Sequence, residues 1–444
     1  MNTRSPRVLK TVKNYACFLI LPIATSCGVG EAQDPEVKNE RAQSHIERYQ
    51  NAQLGDSDAT VTQLDSGPQV IVPPIQCERE KSDLEFANAV TQNLYNRDVI
   101  PAEINLVNSR EFSRQQFVDD ALASDQADTG ITKFVTNLFV LSGIKPKPDL
   151  EDGMLEKDIT LISHLKQEPI QLVLRNKDKP WKWFFTTRDI FCTSLTAELY
   201  DFPLVNTDGL VNCSLPEDRA GFLGMASVLR AIPSNFVSSN NNYKRVAFAV
   251  YLAQGFRLLS ATNGPEGDGP GLSLPECVPT TDMRRDPEGL AFGTAIIPTE
   301  GNVCASCHSP YNGPMSVAFR RFNQYGERYT FEEIDRLDND ERHRFGPEYL
   351  KKLLNENESC WSFDKVSPPR QYVGQPGLSR LIAESNTLGK ALGNQIPQML
   401  GNIEPDANMI ASVEKSYYDG GETLLSAMRG FFLSDSFQCA EKAD

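Results

Sequence analysis

The chain has 444 residues, and its 59 Asp and Glu against 44 Lys and Arg give a formal net charge of −15. An acidic chain without a dense basic run repels a phosphate backbone, so the composition argues against a nucleic-acid-binding protein. Hydrophobic residues make up 40 % of the chain, which excludes a wholly disordered protein. The one long apolar run lies near the N-terminus, which excludes a polytopic membrane protein. The length predicts two or three domains.

The N-terminus has the pattern of an export signal. Four basic residues before position 14 precede the apolar stretch 15–24, which is too short to span a bilayer but typical of a signal peptide. Thr25 and Ser26 come directly before Cys27, and small residues before a cysteine resemble the lipobox of bacterial lipoproteins. We therefore expect residues 1–27 to form a lipoprotein signal peptide that is cleaved before Cys27, with this cysteine joined to lipid. The alternative is an ordinary signal peptide that leaves Cys27 as a spare thiol.

The residues after the cysteine indicate where the protein is held. Gly28, rather than Asp, follows Cys27, which resembles lipoproteins sent on to the outer membrane. We expect a periplasm-facing protein anchored there, with the inner membrane less favoured. Residues 28–76 are rich in Glu, Asp, Gln, Asn and Ser and have little apolar surface to bury, so they predict a disordered acidic tether.

The body after the tether reads as all-α. Phe86, Val90 and Leu94 follow helical spacing. Pro101 and Pro216 stand where a first-turn proline would begin a helix. Further helices are predicted over residues 217–230, 242–259, 347–354, 377–392 and 412–432. No run of alternating β-branched residues is long enough to predict a sheet. A Gly- and Pro-rich loop over 263–279 predicts a boundary between an N-terminal helical domain, 77–262, and a C-terminal domain, 263–444.

The candidate cofactor site is the sequence Cys-Ala-Ser-Cys-His at residues 304–308, which is the C-x-x-C-H signature of c-type haem attachment. Two thiols at this spacing can each form a thioether with a porphyrin vinyl group, and His308 then offers its imidazole to the iron. A zinc half-site, a redox dithiol and a disulfide are the alternatives. Zinc would require a second Cys/His pair, and a redox dithiol would require a βαβ context. We therefore expect one covalent haem c on Cys304 and Cys307, with His308 as the proximal ligand.

The remaining cysteines are even in number. Cys17 leaves with the signal peptide, Cys27 is assigned to lipid, and the motif takes two more. Six are left: Cys77, Cys192, Cys213, Cys277, Cys360 and Cys439. An even set in an oxidising compartment predicts three disulfides, and Cys192–Cys213 is the preferred pair because it is the most local. Free buried thiols are the alternative.

The motif and its surroundings resemble the cytochrome-like domains of planctomycete and myxobacterial secreted proteins. In that family a C-A-S-C-H is followed by Met-Asp-Pro-Leu-Gly, an aromatic residue and a glycine. The similar segments here are 304–327, 183–189, 218–223, 244–245 and 424–437. Tyr311 stands where the family has Met, and Gly313 looks inserted. The resemblance covers about residues 95–440 and implies a secreted haem protein with a cytochrome c-like haem region in the C-terminal domain.

The sixth iron ligand decides what a haem can do, since a Met ligand closes the iron and suits electron transfer. Met399 is the preferred candidate, because Pro397 lies two residues before it, as in the ligand loop of small cytochromes c. Its alternative role is that of a core methionine. Met315 could instead pack against the ring edge, and His343 lies in a charged run typical of a solvated surface. The two other histidines, His45 and His164, are weaker candidates.

Three functions are compatible with these residues. The first is a membrane-anchored c-type cytochrome that exchanges single electrons with a periplasmic or membrane redox protein. The second is a haem-containing binding or structural lipoprotein without turnover, and the third is a peroxidase-like enzyme. A single haem motif supplies one-electron capacity, which favours electron transfer over substrate conversion.

Overall fold

The protein folds mainly into α-helices, as the sequence predicts. A computed structural model describes residues 77, 79–147, 150–203, 209–232, 239–255, 315, 317–319, 321–323, 325–329, 358–363 and 370–439. These residues belong to one compact unit, Ile71–Asp444. The predicted signal peptide 1–27, the tether up to residue 76 and the boundary between 262 and 263 lie outside the described residues. None of the helices in the described part of the chain is long and apolar enough to cross a membrane.

Helices α1 to α10 form the N-terminal part of the body. They are α1 (Asp83–Tyr95), α2 (Pro101–Val107), α3 (Arg114–Ala123), α4 (Ala127–Leu138), α5 (Asp152–Leu174), α6 (Trp183–Thr186), α7 (Ser194–Ala197), α8 (Gly221–Gly224), α9 (Ala226–Ala231) and α10 (Ser239–Gln254). Helix α1 begins with a capping box in which the side chains of Ser82 and Glu85 each accept from the other residue's backbone N–H. Pro101 is the first residue of α2, as predicted from the sequence.

The predicted helix over 217–230 is wrong at its start. Pro216 lies in a turn, and the chain forms two short helices, α8 and α9, with extended backbone at Met225 between them. Gly221 has a left-handed φ of 51°, and its N–H donates to the Thr187 carbonyl at 2.7 Å. A side chain at this position would collide with the backbone carbonyl groups of Phe184 and Phe185, so only glycine fits.

Helices α11 to α15 form the C-terminal part of the described body and pack closely on one another. They are α11 (Gly374–Ala383), α12 (Leu388–Ile396), α13 (Ala407–Asp419), α14 (Leu424–Phe432) and α15 (Asp435–Gln438). A Cβ on Gly393 would lie 2.8 Å from the Ile410 Cα, and one on Gly430 would lie 2.6 Å from the Ser412 carbonyl oxygen. Glycine therefore lets α12 and α14 approach the two sides of α13 at backbone distance.

The described residues contain two antiparallel strand pairs, which the sequence did not predict. Strand β1 (Asp189–Cys192) pairs with β2 (Val211–Ser214), and β3 (Glu358–Trp361) pairs with β4 (Arg370–Val373). Four residues are too few to establish an alternating pattern in the sequence. The first pair carries the Cys192–Cys213 disulfide, with Cα atoms 5.9 Å apart, which confirms the pairing predicted from the sequence.

A second disulfide joins the two ends of the described body. Cys77 is bonded to Cys439, with Cα atoms 5.5 Å apart. Beside it, the Lys81 N–H donates to the Gln438 carbonyl at 2.8 Å. Cys360 is also disulfide-bonded, so each of the five cysteines that the structure describes is oxidised. The Cys77–Cys439 disulfide therefore joins the first described residue to the last.

The hydrophobic core runs through the described body from Phe86 to Phe437. Trp181 belongs to this core, is 1 % exposed, and has its ring centre 5.3 Å from that of Phe222. Helices on either side of the predicted boundary share this core. The Gln395 side chain donates to the Tyr251 carbonyl at 2.6 Å, joining α12 to α10.

Candidate functional site

The predicted haem and lipid residues lie outside the described part of the chain. These residues are Cys27, Cys304, Cys307 and His308, and the alternative ligands His45 and His343 also lie outside it. The structure therefore describes the candidate site through Met399, Met315 and the chain that follows the motif. Among the described residues, to which the motif does not belong, no group of three or more His, Cys, Asp and Glu could hold a metal ion.

Met399 is buried in a turn that helix α4 holds in place. It lies in a single π-helical turn, Pro397–Gly401, and is 7 % exposed as part of the hydrophobic core. Asn137 Nδ2 donates to the Met399 carbonyl at 2.7 Å, and Lys133 Nζ donates to the Leu400 carbonyl at 2.6 Å. The backbone at Met399 and Leu400 is thus held by two side chains of α4, and α13 follows the turn. The core role that the sequence left open accounts for this burial.

The other two described ligand candidates have different surroundings. Met315 is completely buried in the same core, directly before the 3₁₀ turn Val317–Phe319. His164 lies on α5, with its Nδ1 atom 2.8 Å from the Thr193 hydroxyl oxygen. One ring nitrogen of His164 is therefore already engaged in a hydrogen bond.

The chain after the motif forms a tight turn, here called the 321–329 turn and described at residues 321–323 and 325–329. The Asn323 side-chain oxygen accepts from the backbone N–H groups of Tyr325 at 2.9 Å and Glu327 at 3.0 Å. The Tyr329 N–H donates to the Arg321 carbonyl at 2.9 Å and closes the turn. Asn side chains commonly stabilise turns in this way.

Arg245 ties this turn to the end of helix α9. Its side chain is 2 % exposed and donates to four backbone carbonyl groups. Two acceptors belong to the turn, Phe322 at 2.8 Å and Asn323 at 2.5 Å. The other two, Leu229 at 3.1 Å and Ile232 at 3.2 Å, lie at the C-terminal end of α9, where the helix dipole favours a cation.

Arg219 holds the same turn from a second direction. This side chain is 1 % exposed and donates to the Gly224 carbonyl at 3.1 Å and the Gly326 carbonyl at 2.8 Å. Its guanidinium carbon lies 4.3 Å from the centre of the Phe322 ring, a cation–π contact. Burial lowers the pKa of Arg219, because the charged form loses its hydration.

Two ion pairs add to these contacts at the rim of the turn. Lys147 Nζ lies 2.6 Å from Glu327 Oε1, and Arg328 lies 2.7 Å from Asp218. Four residues outside the turn therefore contact it through charged groups, and they come from three parts of the N-terminal helical region, since Asp218 and Arg219 are neighbours in the chain.

A buried carboxyl group lies on the other side of Arg219. Glu168 on α5 is 0 % exposed, and the Tyr200 hydroxyl donates to its Oε2 at 2.8 Å while accepting from the Ala226 N–H at 2.9 Å. Burial raises the pKa of Glu168 to about 8, although the Tyr200 hydroxyl and the Arg219 charge both favour the ionised form. The side chain is therefore mainly protonated at neutral pH.

Sequence reasoning missed this buried polar cluster. Glu168 and Tyr200 carry no motif, and their pairing joins segments 32 residues apart. A signal for Arg245 does exist, because it interrupts the apolar stripe of α10 formed by Val246, Ala249 and Val250. A charged residue within such a stripe is buried only where several acceptors surround it.

No protein-family model, curated protein or solved structure matches this chain. The resemblance to secreted cytochrome-like domains therefore stays a prediction from the motif and the segments around it.

We expect Glu168→Gln to reduce the pH dependence of stability. The pKa of Glu168 is raised in the folded protein, so its contribution to stability is complete below pH about 4.5 and is lost as the pH rises towards about 8. The free energy of unfolding can be measured with urea at several pH values. As the pH rises from about 4.5 to about 8, this free energy should increase for Glu168→Gln relative to the wild type by a few kcal/mol in order of magnitude, because the wild type loses stability and the variant does not.

Tyr200→Phe is the matched control for this measurement. It keeps the carboxyl group but removes its phenol donor, so the pH dependence should persist. If the free energies of unfolding of Glu168→Gln and the wild type depended on pH in the same way, the raised pKa of Glu168 would be contradicted.

Proposed function

We propose that this protein is an exported, lipid-anchored c-type cytochrome that carries one covalent haem and passes single electrons to or from a periplasmic or membrane redox protein. The observation that carries the proposal is the C-x-x-C-H sequence at 304–308, in a chain whose residues 1–27 have the sequence pattern of an export signal. Thioether attachment of haem takes place in the compartment to which such a signal leads.

The oxidation state of the described cysteines supports this compartment. All five are in disulfides, which persist in oxidising environments and are rare in the cytosol. Cys277 is the remaining cysteine of the six that the sequence assigns to disulfides, so it is the proposed partner of Cys360. That pairing would leave Cys304 and Cys307 available as thiols for haem.

Each residue of the motif has a distinct role in this proposal. Cys304 and Cys307 would hold the porphyrin covalently, and His308 would be a ligand of the iron. The haem, when bound, would supply a one-electron carrier, and a Met ligand would raise its reduction potential. Met399 is the proposed sixth ligand, and the hydrogen bonds from Asn137 and Lys133 would keep its backbone fixed in both oxidation states.

The lipid anchor at Cys27 and the tether set how far the body extends from the membrane. The 50 residues from Cys27 to Cys77 would span about 40 Å on average as a flexible chain. Because Cys77 is cross-linked to Cys439, the residue to which the tether would be attached is covalently held to the C-terminal end of the body. A cytochrome held in this way could meet partners in the periplasm or at the membrane surface.

Covalent haem is tested by a haem-peroxidase stain after denaturing electrophoresis. We expect the wild type, expressed with the haem-attachment machinery, to stain at the mass of the chain, because thioether bonds survive denaturation. Cys307→Ser should weaken or abolish the stain, since one thioether is lost. Cys213→Ser is the control, because it removes a cysteine from the Cys192–Cys213 disulfide and should leave the stain unchanged per folded chain. An unstained wild type would overturn the proposed function.

Lipid attachment is tested by labelling cells with a radioactive fatty acid. We expect label in the wild type and none in Cys27→Ala, because acylation requires the Cys27 thiol. The variant should also move from the membrane fraction to the soluble periplasmic fraction. Release of the unmutated protein into that fraction would instead support an ordinary signal peptide.

Iron coordination is tested by carbon monoxide binding and by potentiometry. If Met399 is the ligand, Met399→Ala should admit carbon monoxide quickly to the ferrous haem and lower the potential, because a thioether favours ferrous iron. Met409→Ala is the matched control, since Met409 is a buried core methionine with 3 % exposure. Both variants should lose stability, about 2–5 kcal/mol for a core Met→Ala change, but only Met399→Ala should alter the haem.

Two outcomes would contradict Met399 as the ligand. Rapid carbon monoxide binding by the wild type would mean an open sixth site, which favours the binding or peroxidase-like functions. The second outcome is that the wild type binds carbon monoxide slowly and Met399→Ala has the same haem properties as the wild type. In that case Met315, and then His343, would be the next candidate ligands.

A further inference from the structure

The five cysteines that the structure describes differ in their exposure to solvent. Cys192, Cys213 and Cys360 are buried, with exposed fractions of 0 %, 5 % and 8 %. Cys77 and Cys439, which are bonded to each other, are both partly exposed. A thiolate cleaves a disulfide only if it can reach one of the sulfur atoms, so exposure limits the rate of cleavage. Of the two disulfides within the described residues, Cys77–Cys439 is therefore the accessible one.

This disulfide lies where the segment before helix α1 meets the C-terminal helix α15. The segment, here called the N-terminal strap, is described at residues 77 and 79–81. The Lys81 N–H donates to the Gln438 carbonyl at 2.8 Å, and the Lys81 ammonium group donates to the Phe437 carbonyl. The ammonium nitrogen also lies 4.7 Å from the centre of the Phe437 ring, and Phe437 is 2 % exposed. Lys81 of the strap therefore helps to cover Phe437, a residue of the hydrophobic core.

Arg114 on α3 holds the strap without help from the disulfide. Its guanidinium group donates to the Lys81 carbonyl at 2.5 Å, to Asp83 Oδ1 at 2.8 Å and to Gln438 Oε1 at 2.8 Å. These three acceptors lie in the strap, at the start of α1 and at the end of α15. A planar guanidinium group donates in fixed directions, so it sets the positions of the acceptors relative to one another. The two cysteines would thus stay close together after reduction, and the disulfide could form again.

We propose that the Cys77–Cys439 disulfide is a redox-sensitive lock on the N-terminal strap, which a protein or small-molecule dithiol opens. A thiolate of the dithiol attacks one sulfur atom, which gives a mixed disulfide and one protein thiol. The second thiol of the dithiol then displaces the other protein thiol. The two cysteines gain two hydrogen atoms, and the dithiol loses two and leaves as its own disulfide. The reverse exchange with an oxidised partner closes the lock, which requires neither haem nor lipid and is independent of the proposed cytochrome function.

Reduction leaves the strap held by noncovalent contacts alone. The strap can then leave α15 by breaking the hydrogen bonds of Lys81, which uncovers Phe437. Helix α1 keeps its own start, because its capping box joins Ser82 to Glu85. The opening is therefore local, in the way that chain ends open without unfolding of the whole body.

The first measurement is the reduction of each disulfide in the folded, full-length wild type. The protein is incubated at neutral pH with increasing concentrations of dithiothreitol, free thiols are alkylated, and the labelled peptides are quantified by mass spectrometry. Cys77 and Cys439 should be labelled at least about tenfold faster than Cys192 and Cys213, whose burial protects them until the body unfolds. Equal rates for the two pairs would overturn the proposal, as would a Cys77–Cys439 pair that is reduced only in urea.

The second measurement is cleavage by trypsin after Lys81. Cleavage of the oxidised wild type should be slow, because the Lys81 carbonyl accepts a hydrogen bond from Arg114 and the disulfide holds the strap in place. Selective reduction and alkylation of Cys77 and Cys439 should raise the rate several-fold. Cleavage after Lys390, an exposed residue of α12, is the control and should not change. An unchanged rate after Lys81 would show that the disulfide does not control the strap, which would also overturn the proposal.

Cys77→Ser combined with Cys439→Ser is the matched variant, because it lacks the lock under oxidising and reducing conditions alike. Trypsin should cleave it after Lys81 as fast as the reduced wild type, and dithiothreitol treatment before digestion should make no difference. Cleavage as slow as that of the oxidised wild type would contradict the lock. If this variant does not fold, labelling of the wild type still decides the question, because that measurement needs no substitution.

The role of Arg114 is tested by re-oxidation. After dithiothreitol is removed, the Cys77–Cys439 disulfide should form more slowly in Arg114→Met than in the wild type, because the strap is no longer held beside α15. Equal rates of re-oxidation would contradict the role given to Arg114 in closing the lock.

Discussion

The organisation of the described body depends on how charged side chains are buried next to backbone carbonyl groups. Arg219 and Arg245 are almost fully buried, and each gives up hydration that a hydrogen-bonded partner must replace. Carbonyl groups at the end of α9 and in the 321–329 turn replace it, since these groups also lack partners within regular structure. The arginines and the turn therefore satisfy each other, and neither could be buried in this way alone.

Sequence patterns predicted the parts of the fold that depend on local chemistry. Helical spacing identified α1, the position of Pro101 marked the start of α2, and the short separation of Cys192 from Cys213 identified their disulfide. The patterns failed where a distant contact decides the backbone. Gly221 interrupts the helix predicted over 217–230 because it fits against the backbone of Phe185, which no local pattern reveals. The four-residue strands form for a similar reason, since each depends on a partner strand.

In the candidate site, too, the sequence reveals residues with a local spacing pattern and does not reveal residues placed by distant contacts. The motif at 304–308 is recognisable because its chemistry requires cysteine and histidine at fixed spacing. The turn that follows it is held by Arg219 and Arg245, which precede the turn by about a hundred and about eighty residues, so no local spacing connects them to it. Met399 shows the limit of spacing as a guide. Its proline and following helix suit an iron ligand, and its burial suits a core residue equally well.

The protonation of Glu168 gives the buried arginines an electrostatic consequence as well as a structural one. With its pKa raised to about 8, this carboxyl group is mainly neutral at pH 7 and does not balance the Arg219 charge. The Oε2 atom of Glu168 instead accepts from the neutral Tyr200 hydroxyl, and the Arg219 guanidinium contacts the Gly224 and Gly326 carbonyl oxygens and the Phe322 ring. Ionisation of Glu168 at higher pH would bring a carboxylate charge into this cluster, and that charge would lose the hydration it has in water. The cluster is therefore built from neutral partners over the pH range in which Glu168 keeps its proton.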